Sequence, residues 1–453
     1  MAHVHYTPEQ LTQRFEISTR VRNVVYGLIG VGLLLLFAGY FIAGEATSKA
    51  GPDAHVEIDH IASSITPVAD TPGDDAHGHG GHHVKTTANR VLANFLLCSV
   101  YFMSLAMGAM FFLAVHQVGN GGWHTAVRRI SEAMTMYVPI GALTLVILFF
   151  FLDYLYEWTH IPEGDEILLA KEGFLNKKSF IIRNIVYFTV WIGAAVYMRR
   201  LSLAQDVEGS AENLFHFRRT TQVSAGFVLF FAFSYCLWAV DWLMSLEPHW
   251  FSTIYGVYVF GASFKASMFT LGLLLLFLRS QGYMLFTNDS HYHDIFKYAF
   301  GFTVFWGYIF IAQLLLIWYS NLPEEGVYYI KRYLVDSPIY VGGHFNVLFF
   351  TTILLCFIIP FFGLMMRNAK RIPKYFTPIA IIALIGHWLD LFVIIMPGAM
   401  ESYWDLGLLE LGFFLTFAGI FLAVVFRALT KANLAPINHP YLEESLHHTT
   451  GPV

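Results

Sequence analysis

The chain has 453 residues, 56% of them hydrophobic and 13% charged, with a formal net charge of −5 and a mean hydropathy of +0.54. Soluble domains carry close to ~25% charged residues, so a water-soluble globular enzyme is excluded and lipid is the expected solvent. No basic stripe with interleaved aromatic residues occurs, which argues against nucleic acid as a partner.

The first 20 or so residues are polar and hold Glu9, Glu16, Arg14 and Arg20. They lack the short basic start and small-residue cleavage site of a signal peptide, so the apolar block that follows is expected to be retained. Ten apolar blocks are predicted as membrane-spanning helices: 24–43, 91–115, 133–156, 180–198, 222–246, 251–278, 295–319, 345–366, 375–396 and 407–426. A helix rises 1.5 Å per residue, so about 20 residues cross roughly 30 Å of hydrocarbon. A membrane barrel would instead show segments of about ten residues alternating apolar and polar. The expected fold class is an all-α integral membrane protein of about ten transmembrane helices.

Spans two to five and six to nine are expected to form two four-helix bundles, flanked by the first and tenth helices. The expected organisation is residues 1–44 as N-terminal segment and first helix, 45–89 as an outer loop, 90–248 and 249–397 as the bundles, and 398–453 as last helix and tail. A short sequence echo suggests that the bundles are parallel repeats. Trp238 and Asp241 precede Pro248, Trp388 and Asp390 precede Pro397, and each Asp stands seven residues before a proline expected to end its helix.

Loop charges set the expected orientation. With both termini inside, 17 of the 27 basic residues fall in inner segments, among them Arg128, Arg129, Arg199, Arg200, Arg218 and Arg219. Nine, including Arg183, Lys331 and Arg332, fall outside, and Lys265 lies within a span. Excess Lys and Arg mark the cytoplasmic side, which predicts that both termini are cytoplasmic. The outer loop carries His55, His60, His77, His79, His82 and His83 and suits docking against an extramembrane partner better than a metal. Cys98, Cys236 and Cys356 stand singly, without the CxxC or CxxCH spacing of a metal centre or haem attachment.

Titratable groups inside the membrane are the strongest functional signal, since a charge at the bilayer centre costs at least ~2.5 kcal/mol unless it is paired, hydrated or neutral. Asp153, Asp241, Lys265, His387 and Asp390 are the deep ones. Glu132, His116, His344 and Glu410 lie nearer span ends, within reach of interfacial water. Lys265 stands about 15 residues into its helix, too far for snorkelling, and is expected to be neutral or joined to a carboxylate such as Asp241 or Asp390. His387 and Asp390, three apart, share one helix face. Glu132, Asp153, Asp241, Lys265, His387 and Asp390 are therefore the candidates for a proton path. Side chains that only fix packing are the competing explanation.

Aromatic residues make 17% of the chain. Clusters such as Trp242, Trp250 and Tyr255 suit interfacial anchoring, and such walls beside one acid or His would also suit a quinone head group. Asp153, Asp241 and His387 are the candidates for that contact.

Long strings then point to a family. RRISEAMTMYVPIGALTLVI from Arg128, DWLMSLEPHWFSTIYGVYVF from Asp241, FTVFWGYIFIAQLLLIWYSNLPEE from Phe302, FNVLFFTTILLCFIIPFFGLMMRNAKR from Phe345 and GHWLDLFVIIMPG from Gly386 resemble the NrfD/PsrC-like integral membrane subunits. The resemblance is nearest to the ActF-type subunits of Alternative Complex III, a bacterial quinol:cytochrome c oxidoreductase. It covers nearly all the chain from the second span onward.

The resemblance implies a subunit with no redox centre of its own beside a sister NrfD-like subunit, which is the one usually given the quinol site. It also implies an iron–sulfur subunit and multihaem and monohaem cytochrome c subunits holding the clusters and haems, and sometimes a terminal oxidase as neighbour. Quinone or quinol is the implied cofactor. Three roles follow as expectations: proton translocation coupled to quinol oxidation, quinol binding in its own right, or a scaffold for the sister subunit and lipids. A secondary transporter is the outside alternative.

Overall fold

The computed structural model describes residues 8–49, 86–161, 164–210, 213–333, 345–400 and 406–451. The His-rich loop and His344 lie outside the described residues. Among the described residues ten helices are long and apolar enough to cross a membrane: Thr19–Ile42, Thr87–Val118, Gly122–Leu155, Lys177–Glu208, Phe215–Leu246, Tyr255–Ser280, Asp289–Ser320, Phe345–Leu364, Pro373–Met400 and Leu408–Leu429. The chain is an all-helical, multi-pass membrane protein. Each predicted block lies largely within one of these helices, which run past the apolar stretch into polar ends.

Two spans are broken by proline. In the third, one helical segment ends at Thr135 and the next begins at Val138. Pro139 has no N–H for the Thr135 carbonyl, four residues back. In the eighth, a π-turn over Leu354–Ile358 precedes Pro360, near the start of the segment Ile359–Leu364, and Pro360 has no N–H to offer the Cys356 carbonyl four residues back. Two expectations need correction here. Pro397 does not end the ninth helix, which continues to Met400, whereas the fifth stops at Trp242, before Pro248. An 11-residue helix, Pro323–Tyr333, also fills what read as plain loop between the seventh and eighth spans.

Neighbour order repeats in the two halves. Spans two to five touch in a ring, two with three, three with four, four with five and five with two, and spans six to nine do the same. The second and sixth spans join the rings, so their apolar windows are 94% and 83% buried within the protein, against 17% for the first span. The first span packs chiefly along the tenth. A Cβ on Gly412 would lie 2.6 Å from the Leu36 amide nitrogen and 2.9 Å from the Gly32 carbonyl oxygen, so backbone contact there requires glycine. Such approach supplies the packing on which helix association in lipid relies.

The first and last described segments lie on one face. The Leu434 amide donates to the Gln13 carbonyl at 2.9 Å, and Arg14 Nε donates to Asn433 at 3.1 Å. Beyond the tenth span the chain folds back across this terminal face. Ser445 Oγ donates to the Trp123 carbonyl at 2.6 Å, and His448 Nε2 pairs with Asp294 at 2.6 Å.

Candidate functional site

Four spans converge around Asp390. Tyr258 and Lys265 are seven residues apart on the sixth span, close to two full turns, so they face the same way. The Tyr258 hydroxyl donates to Asp390 Oδ1, and Trp306 of the seventh span donates through Nε1 to Oδ2 at 3.3 Å. Lys265, fully buried, places Nζ 4.3 Å from the Trp306 ring centroid and donates to the Cys356 carbonyl at 3.1 Å. That carbonyl is the one freed by Pro360, so the eighth helix offers the lysine a backbone acceptor at that depth. Lys265 is thus joined to the Asp390 carboxylate through Trp306, and stands away from Asp241.

A cavity of about 30 Å³ opens beside Asp390, lined among others by Tyr258, Phe310, Gln313, Tyr328 and Arg332. By the ~10 to 15 Å³ that one water requires, it has room for about two waters and is too small for a quinone ring. Its roof is the helix Pro323–Tyr333. Arg332 Nε donates to the Val393 carbonyl at 3.1 Å, Nη2 meets Glu247 at 2.5 Å, and the guanidinium lies 3.5 Å from the Tyr328 ring centroid. Burial pushes the Tyr328 hydroxyl up to about 12.

The other expected groups sit apart. His387 is fully buried but bonds to the second span, with Nε2 3.1 Å from Ser104 Oγ while Nδ1 has no partner. Asp241 is held by Arg183 at 2.6 and 3.2 Å and by Asn184 at 3.3 Å, an ion pair whose arginine is partly exposed. Asp153 is a correction: its side chain is 47% exposed and paired with Lys177 at 2.5 Å, because it lies on the short end segment Leu152–Leu155. Among the described residues no group of three or more His, Cys, Asp and Glu is placed to hold a metal ion.

Neither a family model nor any curated protein matches this chain. Function must therefore be argued from the residues themselves.

The terminal half holds a second polar cluster, which corrects the expectation that Glu132 reaches interfacial water. Glu132 is 3% exposed and accepts from Arg128 Nε at 2.7 Å, Arg129 Nη1 at 2.6 Å and Ser202 Oγ at 2.6 Å. Arg129 also pairs with Asp206. His116 and Glu410 are buried as well, at 6% and 2% exposure, the latter in a pair with Arg90 at 2.8 and 2.9 Å. Sequence reasoning missed Tyr258 and Trp306, and treated Arg128, Arg129, Arg199 and Arg332 only as topology charges. The usable signal was proline: each buried cation in the Asp390 region meets a carbonyl four residues before a helix-interior proline.

Proposed function

We propose that this chain is a membrane subunit of a bacterial respiratory quinol:electron-acceptor oxidoreductase, resembling the NrfD/PsrC-like subunits, and that it supports proton translocation. In this reading both termini face the cytoplasm. The electrons pass through haems and iron–sulfur clusters held by cytochrome c and iron–sulfur partners beside a sister NrfD-like subunit. The terminal cluster around Glu132 lies on the uptake side, and Asp390 with its cavity lies on the release side.

One observation carries the proposal: a buried carboxylate that accepts from a hydroxyl and from an indole, whose ring in turn faces a lysine, opens on a cavity of about 30 Å³. A carboxylate that water can reach in an otherwise apolar bundle can exchange a proton, whereas one committed only to packing needs no wet space. The cavity size favours water over a bound quinol at this position.

The test is proton movement measured alongside quinol oxidation, with the intact complex in sealed vesicles carrying wild-type chain or Asp390→Asn. Oxidation is expected to continue while translocated protons per quinol fall several-fold. Unchanged values for both would make Asp390 a packing residue and leave a scaffold role. Collapse of both in an intact complex would move quinol binding ahead.

A further inference from the structure

Past the tenth span the chain crosses from one ring of helices to the other. Its first hold is on the third span. Leu442, Ser445 and Leu446 are buried, and Ser445 Oγ donates to the Trp123 carbonyl at 2.6 Å and accepts from the Ala126 amide at 3.0 Å. Its second hold is on the other ring. Asn288, at the start of the seventh span, donates through Nδ2 to the His448 carbonyl at 2.9 Å, and the Thr450 amide donates to Ser290 Oγ at 3.2 Å. Arg371, between the eighth and ninth spans, donates to Thr450 Oγ1 at 2.7 Å. Between the two holds the tail passes the seam where Trp123 of the third span stacks on Tyr298 of the seventh, with ring centroids 6.1 Å apart. The His448 ring lies 6.2 Å from that of Trp123.

The two holds differ in kind. The first rests on buried apolar contact and hydrogen bonds to the backbone, whereas the second contains a histidine–carboxylate pair, His448 Nε2 lying 2.6 Å from Asp294 Oδ2. His293 and Lys297 approach the other Asp294 oxygen at 3.2 and 2.9 Å. The buried His291 places its ring 5.7 Å from that of His448 and its Nε2 3.4 Å from Ser445 Oγ. Arg367 and Arg371 reach Thr450, and Glu443, Glu444 and His447 lie on the tail itself. Lys297 keeps a counter-charge beside Asp294 whatever the state of His448, so the imidazole decides whether the tail contact is an ion pair. Histidine is the side chain that changes charge between about pH 5 and 8. A neutral imidazole can still donate Nε2–H, but a hydrogen bond with both partners charged is roughly twice as strong. The second hold is therefore full at the acidic end and weakens as pH rises.

We propose that the C-terminal tail is a pH-sensitive strap across the two rings, fastened to the seventh span while His448 is charged and loosened there once it is neutral. The helix Leu442–Leu446 is its fixed end. Loosening opens the seam at Trp123 and Tyr298 to water. The tail carries none of the residues assigned to proton movement, and its state is read without a proton measurement, so this inference and the functional proposal can fail separately.

The experiment is amide hydrogen exchange on the full-length protein, purified in detergent with its co-purifying subunits, from about pH 5.5 to about pH 8.5, where histidine titrates. Rates are corrected for the intrinsic pH dependence of exchange. The Thr450 amide reports the second hold, because its acceptor is Ser290, and the Ser445 amide, bonded to the Tyr441 carbonyl at 3.0 Å, reports the first. Protection of Thr450 should fall about tenfold across that range, the scale of a hydrogen bond to a charged group, while that of Ser445 stays constant. His448→Gln should show the low Thr450 protection at both ends of the range. His448→Arg, charged throughout, should keep the high protection at both. Should a variant not fold, the wild-type profile decides, since Thr450 and Ser445 must part. Constant Thr450 protection, loss at Ser445 in step with Thr450, or an unchanged pH dependence in His448→Gln would each overturn the proposal.

Discussion

Two helix-interior prolines explain where two buried cations sit. Pro360 withdraws an N–H from the Cys356 carbonyl, which then accepts from Lys265 Nζ at 3.1 Å. Pro397 does the same to the Val393 carbonyl, which accepts from Arg332 Nε at 3.1 Å. A proline inside a helix costs about 3 kcal/mol, and a hydrogen bond to a charged group returns roughly 1.5 to 3. Cation and proline are therefore energetically coupled. Arg332→Met should destabilise the protein by about 3 kcal/mol, because it also leaves the Glu247 carboxylate with only its longer contact to Lys331 at 3.8 Å. The cost should shrink in a Pro397→Ala background, where the Val393 carbonyl regains a helical donor. Unfolding measured for the four members of that cycle checks this, and equal costs in both backgrounds would refute the coupling.

The pairing of the first and tenth spans depends on backbone contact more than on side chains. The first span presents most of its surface outward, with Val24, Leu34 and Phe37 62%, 71% and 67% exposed. Its hold on the tenth rests on Gly32 and Gly412, where an added Cβ would meet backbone atoms at 2.6 to 3.0 Å. Gly412→Val should force the two helices apart at a cost of about 1 to 3 kcal/mol. Faster hydrogen exchange along the first span, with the second unaffected, is the expected result. Unaltered exchange in the first span would show that other contacts hold it. The ten spans were legible from hydropathy because lipid demands long apolar helices with every backbone group satisfied internally. The helix Pro323–Tyr333 was not legible, because 11 amphipathic residues resemble any polar loop until the cavity they cover is known.

Across the whole molecule, two rings of four helices meet along the second and sixth spans, and the tail returns over the terminal face. Ten crossings put both termini on one side, and the charge bias predicts that this side is cytoplasmic. Ser18→Cys and Lys178→Cys, both at exposed positions, should label from opposite sides of the membrane with an impermeant maleimide. Ser18→Cys should react only after the cytoplasmic side is opened. Labelling of both from one side would contradict the ten-span topology, and the reverse pattern would invert the orientation.

The sequence alone determined the number of spans, the all-helical class and the set of titratable groups worth considering, since each follows from residue type and spacing along one chain. The Asp390, Asp241 and His387 side chains are all buried. Only the tertiary structure separated the members of that set, because a charge is defined by its neighbours. Asp241 is closed off by Arg183, Asp153 turns out to Lys177, and Asp390 gains Tyr258 and Trp306 from helices 132 and 84 residues away. Those partners lie beyond any local pattern, so the difference between a carboxylate paired with an arginine and one that borders a cavity was decided by how the helices pack.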